Sequence, residues 1–257
     1  MQRMEIILLA NQPAALAFIG AVFILAGTVK GVVGLGLPTV AVGLLGIVMA
    51  PREAAALLVV PSLVTNIWQL AAGPAVGPLA RRLWPMLAGI VGGTLVGGAL
   101  LPATGSANAV AFLGGALILY AASGLSAFTL QVRPGAEAVA GPLVGIATGM
   151  VTAATGVFVI PAVPYLGGLK LARDELIQAL GLAFTVSTCA LAASLWLAGD
   201  LPMQAAGTSL LAVAPALAGM WFGQRIRSHI SPQLFRRCFF IGLLGLGTHL
   251  ALRPFLP

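Results

Sequence analysis

Apolar residues run through this chain in long blocks, without the strict alternation of a half-buried strand or the narrow stripe of a surface helix. Six blocks approach the roughly 20 residues that a helix needs to cross a bilayer. They are 54–72, 83–101, 107–125, 176–198, 203–222 and 237–251. Two further blocks, 14–49 and 139–168, are too long for one helix and are broken in the middle. The first break reads Gly27-Thr28-Val29-Lys30-Gly31-Val32-Val33-Gly34-Leu35-Gly36-Leu37-Pro38. The second reads Gly149-Met150-Val151-Thr152-Ala153-Ala154-Thr155-Gly156-Val157-Phe158-Val159-Ile160-Pro161. Each block fits a hairpin of two short helices that enters the membrane and turns back. At lipid depth, backbone without helical hydrogen bonds is tolerated only where it is buried in protein or lines a cavity. A matched pair of Gly/Pro-interrupted segments, one per half, points to the binding site of a transporter.

The order of the blocks suggests an internal repeat: a broken segment followed by three plain spans, twice. The link after each broken segment also matches, Pro51-Arg52-Glu53 in one half and Ala172-Arg173-Asp174-Glu175 in the other. The expected organisation is a first transmembrane repeat over 1–130, a connector over 131–138 and a second repeat over 139–257. Three plain crossings plus a hairpin that returns to its own side make an odd count, so the second repeat is expected to be inverted. With Arg81 and Arg82 in the cytoplasm, Arg133, Lys170, Arg173, Arg225, Arg227, Arg236 and Arg237 fall on the same side. Arg3, Arg52 and Arg253 fall outside, and Lys30 lies within the first hairpin. This asymmetry agrees with the positive-inside rule. The two breaks are then expected to enter from opposite faces and to meet near the midplane.

Composition strengthens the membrane reading. Of 257 residues, 60% are hydrophobic and only 7% are charged, and the mean hydropathy is +1.06. Soluble domains carry roughly a quarter charged residues. The predicted fold class is all-α, a polytopic transmembrane helical bundle of two inverted repeats. The net charge of +7 would suggest nucleic acid on a soluble protein; here loop arginines that set orientation explain it, and no nucleic-acid partner is expected. Cys189 and Cys238 both fall in apolar segments and do not suggest a disulfide framework. The first residues lack a signal-peptide layout, because Asn11 and Pro13 interrupt a short apolar run.

The breaks carry the candidate chemistry. Gly31, Gly34 and Gly36 allow backbone conformations closed to other residues and a close approach by a ligand. Pro38 and Pro161 each suit the first turn of a following short helix, which would aim two helix N-termini at the membrane interior, a setting that favours anions. Glycines at such spacings also serve tight helix packing. Lys30 is a charge at membrane depth, which is costly and usually functional. The six acids, Glu5, Glu53, Glu137, Asp174, Glu175 and Asp200, all lie in loops or tails, so Lys30 has no carboxylate partner in sight and an anionic substrate would supply one. Snorkelling to the interface or capping a helix end are the plainer explanations of the same lysine. Thr65, Asn66, Thr155 beside Gly156, and Thr188 add neutral donors at depth; each could equally bond to a neighbouring helix or to its own backbone. Thr65-Asn66 and Ser187-Thr188 lie at similar depths of corresponding spans.

The missing acids disfavour sites for metal cations, and no phosphate-binding loop or zinc-protease motif is present. An intramembrane enzyme therefore lacks its chemical groups, and a scaffold without transport leaves the breaks and Lys30 unexplained. The partners read from the sequence are a small anion and the lipid bilayer, with no cofactor.

At these residues the chain resembles the TauE/SafE family of membrane permeases, over nearly its whole length. The usual first break of that family is a Gly-x-Gly-Gly-Gly run followed by Pro. Here Gly34-Leu35-Gly36-Leu37-Pro38 follows Lys30-Gly31, which is similar to a Lys-Gly-x-x-Gly-x-Gly-x-Pro variant, as is the following Pro61 to Gln69 stretch. The resemblance implies a permease of the cell inner (cytoplasmic) membrane that carries sulfur oxyanions such as sulfite, or organosulfonates, by alternating access around a midplane site.

Overall fold

Proline and glycine set the limits of the elements. The computed structural model describes residues 13–71, 73–100, 107–126, 131–133, 135–201 and 203–255. Among them are eleven α-helices and no strand. They are α1 (Pro13–Val33), α2 (Leu37–Leu45), α3 (Pro51–Ala71), α4 (Val76–Leu100), α5 (Ala107–Leu125), α6 (Glu137–Thr155), α7 (Ala162–Gly168), α8 (Arg173–Leu197), α9 (Met203–Leu211), α10 (Val213–Ile226) and α11 (Pro232–Leu252), followed by a 3-10 turn, Arg253–Phe255. Seven of them, α1, α3, α4, α5, α6, α8 and α11, are long and apolar enough to cross a membrane.

Two expectations are corrected. The broken segments are not pairs of short helices: in each, a long helix (α1 of 21 residues, α6 of 19) is followed by a short one (α2 of 9, α7 of 7). The block 203–222 is not one span but the two helices α9 and α10, parted at Ala212.

Both long helices stop in the same way. Gly34 (φ +83°) and Gly156 (φ +73°) adopt left-handed backbone, and each donates its N–H to the carbonyl four residues back, Lys30 O at 2.7 Å and Thr152 O at 2.8 Å. A left-handed glycine after the last turn is a common helix stop, because it avoids a Cβ clash while satisfying a free carbonyl. The link that enters α3 and the link that enters α8 also share a lock: Ala50 N–H donates to Glu53 Oε2 (3.2 Å), and Ala172 N–H to Glu175 Oε2 (3.1 Å).

Glycine seams hold the bundle together. α4 runs alongside α6 in the same direction, with Gly89 against Pro142 and Gly145, Gly93 against Ile146, and Gly97 against Met150 and Ala153. α1 runs alongside α10 in the same direction, with Gly27 against Ala216 and Met220, and Gly31 against Met220 and Gly223. Added methyl groups there would strike neighbouring backbone, so these small residues let the helices approach closely. α3 and α8 are antiparallel. The Gln178 side chain on α8 meets Leu70, Gly73 and Ala75 at one end of α3, and Arg52 pairs with Asp200 (2.6 Å) at the other. α5 and α11 are also antiparallel, with Gly114 against Gly247 and Ala251, and Gly124 against Phe240. Large apolar residues face outward, including Trp84, Trp196 and Trp221, as suits a lipid-facing surface.

Candidate functional site

The last turn of α1 delivers Lys30 into the bundle, where it is only 3% exposed. Its Nζ donates to Thr65 Oγ1 (3.1 Å) and to Asn66 Oδ1, both on α3. An ammonium has three donors and two acceptors meet it among the described residues, which leaves one N–H for a ligand. Neither acceptor carries charge. Pro61 sits within α3, one turn before these two residues; Thr65 Oγ1 donates to the Pro61 carbonyl (2.8 Å) and approaches that of Ser62 (3.1 Å).

From Asn66 the hydrogen bonds have a forced direction. A lysine can only donate, so the Asn66 carbonyl accepts and its amide nitrogen must donate onward. It donates to Ser62 Oγ (3.1 Å) and Thr188 Oγ1 (3.2 Å). Thr188 gives its one hydroxyl proton to the Phe184 carbonyl (2.7 Å), so it accepts from Ser62 at 3.3 Å. The whole network polarises away from Lys30, and its side chains are fully or almost fully buried.

Lys30 also lines a cavity of about 870 Å³, within the range of small-molecule sites. Gly31 and Gly34 form part of the wall from α1. Arg173, Arg227 and Arg236 line it from α8, the turn after α10, and α11; among the described residues no lining residue is acidic. Apolar wall comes from Trp68, Val163, Leu176, Leu180, Met220 and Phe240, among others. Tyr120 and Gln69 belong to the wall as well, and Tyr120 Oη and Gln69 Oε1 are buried with no hydrogen-bond partner among the described residues. Arg82 lies at the same end of the bundle, in a bidentate ion pair with Glu137 (2.9 and 2.6 Å). Each partner reinforces the charge of the other there.

The structure thus brings together Lys30, Thr65, Asn66 and Thr188, with Gly31 and Gly34 beside them. Gly36 (φ +107°) caps α2 and packs against Val29 and Phe239, and Pro38 falls in the first turn of α2, fully buried. The second break does not join them. Gly156 abuts Ala55 and Val42, and Val157, Phe158 and Val159 are completely buried. Ala55 lies eleven positions before Asn66 on α3, about 16 Å of helix. The breaks are staggered along α3 rather than joined at one depth, because each follows a full-length helix and so emerges near an opposite end of the bundle. Thr155 turns inward on itself, donating to the Val151 carbonyl (2.7 Å) and accepting from Val157 N–H (3.1 Å). Pro161 is the N-cap of α7, not a first-turn residue, and follows a cis peptide bond.

Sequence reasoning passed over Tyr120 and the cavity role of the three arginines. Their signal was only loop charge and a lone tyrosine, and packing alone decides that they share a wall.

The family model described as sulfite exporter TauE/SafE matches residues 19–250. The chain belongs to the TauE/SafE family. That match spans the breaks, the cavity and both helix seams, and it makes the chain a multi-pass membrane transporter of the permease type. No curated protein and no solved structure matches this TauE/SafE chain.

Proposed function

We propose that this TauE/SafE protein is an inner-membrane permease for a small anion, a sulfur oxyanion or organosulfonate, and that it works by alternating access around Lys30. The observation that carries the reading is a buried lysine whose acceptors among the described residues are neutral, set in a cavity wall that holds three arginines and, among the described residues, no acid. Such a wall lacks an anion to balance it. The Lys30 N–H left over, the Gly31–Gly34 backbone and the Thr65–Asn66 pair would take the oxyanion, while the arginines draw it in from solution.

The mechanism needs two repeats, 1–130 and 139–257, joined by 131–138. A constant register supports them. Gly27 and Gly149, Lys30 and Thr152, Gly34 and Gly156, Glu53 and Glu175, Thr65 and Ser187, and Asn66 and Thr188 are all 122 positions apart. The matched helix stops and glutamate locks fall in this register. So does the central hydrogen bond, since Asn66 and Thr188 are equivalent residues that bond to each other. Two equivalent residues touch only where an approximate twofold axis passes between them. The seam of α1 with α10 has a counterpart in that of α6 with α4, which supports such an axis. A site beside the axis is where substrate sites of inverted-repeat transporters lie.

The test is flux in proteoliposomes with sulfite, sulfate, a sulfonate and a carboxylate side by side. Wild-type protein is expected to carry the sulfur anions, and Lys30→Gln to abolish flux while remaining folded in the membrane. Full flux in Lys30→Gln would remove Lys30 from the mechanism.

A further inference from the structure

Equivalent positions in the two halves behave differently. Lys30 and Thr65 are bonded to each other, whereas their equivalents Thr152 and Ser187 are not. Thr152 turns back to the Thr148 carbonyl (2.7 Å). Ser187 Oγ is completely buried and has no hydrogen-bond partner among the described residues. The neighbouring Thr185 and Thr188 satisfy themselves on carbonyls one turn back, at 2.7 Å each. Ser187 does not take that common route. An unmade bond in a buried hydroxyl is costly to the fold, and a hydroxyl that is paired in another conformation accounts for it.

The walls differ in the same register. Gln69 and Ile177 line the open cavity; their equivalents are Leu191 and Ala55. Both belong to a small apolar cluster with Ala56, Val59 and Leu195, separate from the main core. This cluster lies towards the Arg52 end of α3, the end opposite the cavity, where the Arg52–Asp200 ion pair (2.6 Å) ties α3 to the end of α8. One face of the bundle therefore has an open wall at Gln69 and Ile177 where the other has a packed apolar cluster at their equivalents Leu191 and Ala55.

We infer that the cluster of Ala55, Ala56, Val59, Leu191 and Leu195 is a closed gate over a second cavity on the Arg52 face, and that Ser187 with Thr152 forms the anion contact exposed when it opens. This rests on the permease reading and names the second substrate contact of the same pathway. The ligand class is the same small oxyanion, held here by neutral hydroxyl donors and no fixed charge. A weaker contact of this kind lets the anion leave without a second lysine to trap it. The Asn66–Thr188 bond is the partition between the two contacts.

The test uses the full-length protein with its two cysteines replaced, Cys189→Ala and Cys238→Ala, carrying either Leu191→Cys or Ile177→Cys. A membrane-impermeant maleimide is applied from each face of sealed, oriented vesicles, with and without methanesulfonate, which unlike sulfite does not add to the reagent. Ile177→Cys is expected to label from the arginine face and Leu191→Cys only from the Arg52 face, with the sulfonate changing both rates. Ala55→Cys is the second reporter of the gate should Leu191→Cys fail to fold. Ser187→Ala is expected to raise KM for sulfite presented on the Arg52 face about tenfold, the scale of one lost hydrogen bond to a charged ligand. Because that hydroxyl is unpaired, the same variant should show no loss of thermal stability, unlike a purely structural serine. The inference is overturned if both gate reporters stay unreactive in protein that carries sulfite, if they label from the arginine face, or if Ser187→Ala leaves KM unchanged. Wild-type protein that carries none of the anions tested removes the permease reading itself and this inference with it.

Discussion

Lys30 sets its amine among hydroxyls and one amide, and the residues around it depend on one another. Asn66 is the hub: it accepts from Lys30 and donates to Ser62 and Thr188. Asn66→Ala would leave a buried ammonium short of an acceptor and two hydroxyls short of a donor. We expect it to cost about 1–3 kcal/mol, read as a fall in the thermal midpoint of the purified protein, and to cut flux sharply. Thr188→Val removes the acceptor that Asn66 and Ser62 share, but Asn66 keeps Ser62 and the Lys30 contacts stay intact, so the loss should be smaller. Equal losses in the two variants would show that the network is not organised around Asn66. Lys30, Thr65, Asn66 and Thr188 were legible in the sequence because a polar residue inside an apolar block has few explanations. Tyr120 was not singled out, since one hydroxyl looks the same in sequence whether it is paired or unpaired.

At the scale of the helix, backbone approach matters more than side-chain chemistry. Gly31 sits in the seam between α1 and α10, where a Cβ would meet backbone atoms of Met220, Gly223 and Gln224. Gly242 on α11 has open space around its Cβ position. Gly31→Leu is expected to give little folded protein by size-exclusion chromatography in detergent, whereas Gly242→Leu should elute as wild type. Comparable elution of both variants would mean that the seam tolerates separation. The breaks were legible as interruptions, because left-handed glycines such as Gly34 and Gly156 stop helices wherever they occur. Their depth was not. An apolar run before a glycine has the same composition whether it forms a half-length or a full-length helix, and α1 and α6 proved to be full-length. For the same reason, the division of 203–222 at Ala212 leaves no mark in hydropathy.

At the scale of the whole molecule, charge is sorted to one mouth. Arg173, Arg227 and Arg236 come from distant parts of the chain and line one cavity with Lys30. Neutralising all three, as Arg173→Gln, Arg227→Gln and Arg236→Gln together, is expected to raise KM for sulfite and to flatten its dependence on ionic strength, because steering by fixed charge is screened by salt. The maximal rate should change much less than in Lys30→Gln. An unaltered salt dependence would reduce these arginines to markers of membrane orientation.

Sequence by itself determined that this chain is a helical membrane protein, that two of its apolar blocks are interrupted at glycines, and that Lys30, Thr65, Asn66 and Thr188 lie in apolar surroundings. Those properties follow from composition and from local backbone sterics, which each segment carries with it. Tertiary structure alone decided that Lys30 meets Asn66, that Asn66 meets Thr188, and that Lys30 shares a cavity wall with three arginines from distant parts of the chain. Those facts depend on how helices far apart in the chain pack, and glycine seams fix that packing through contacts that no single segment contains.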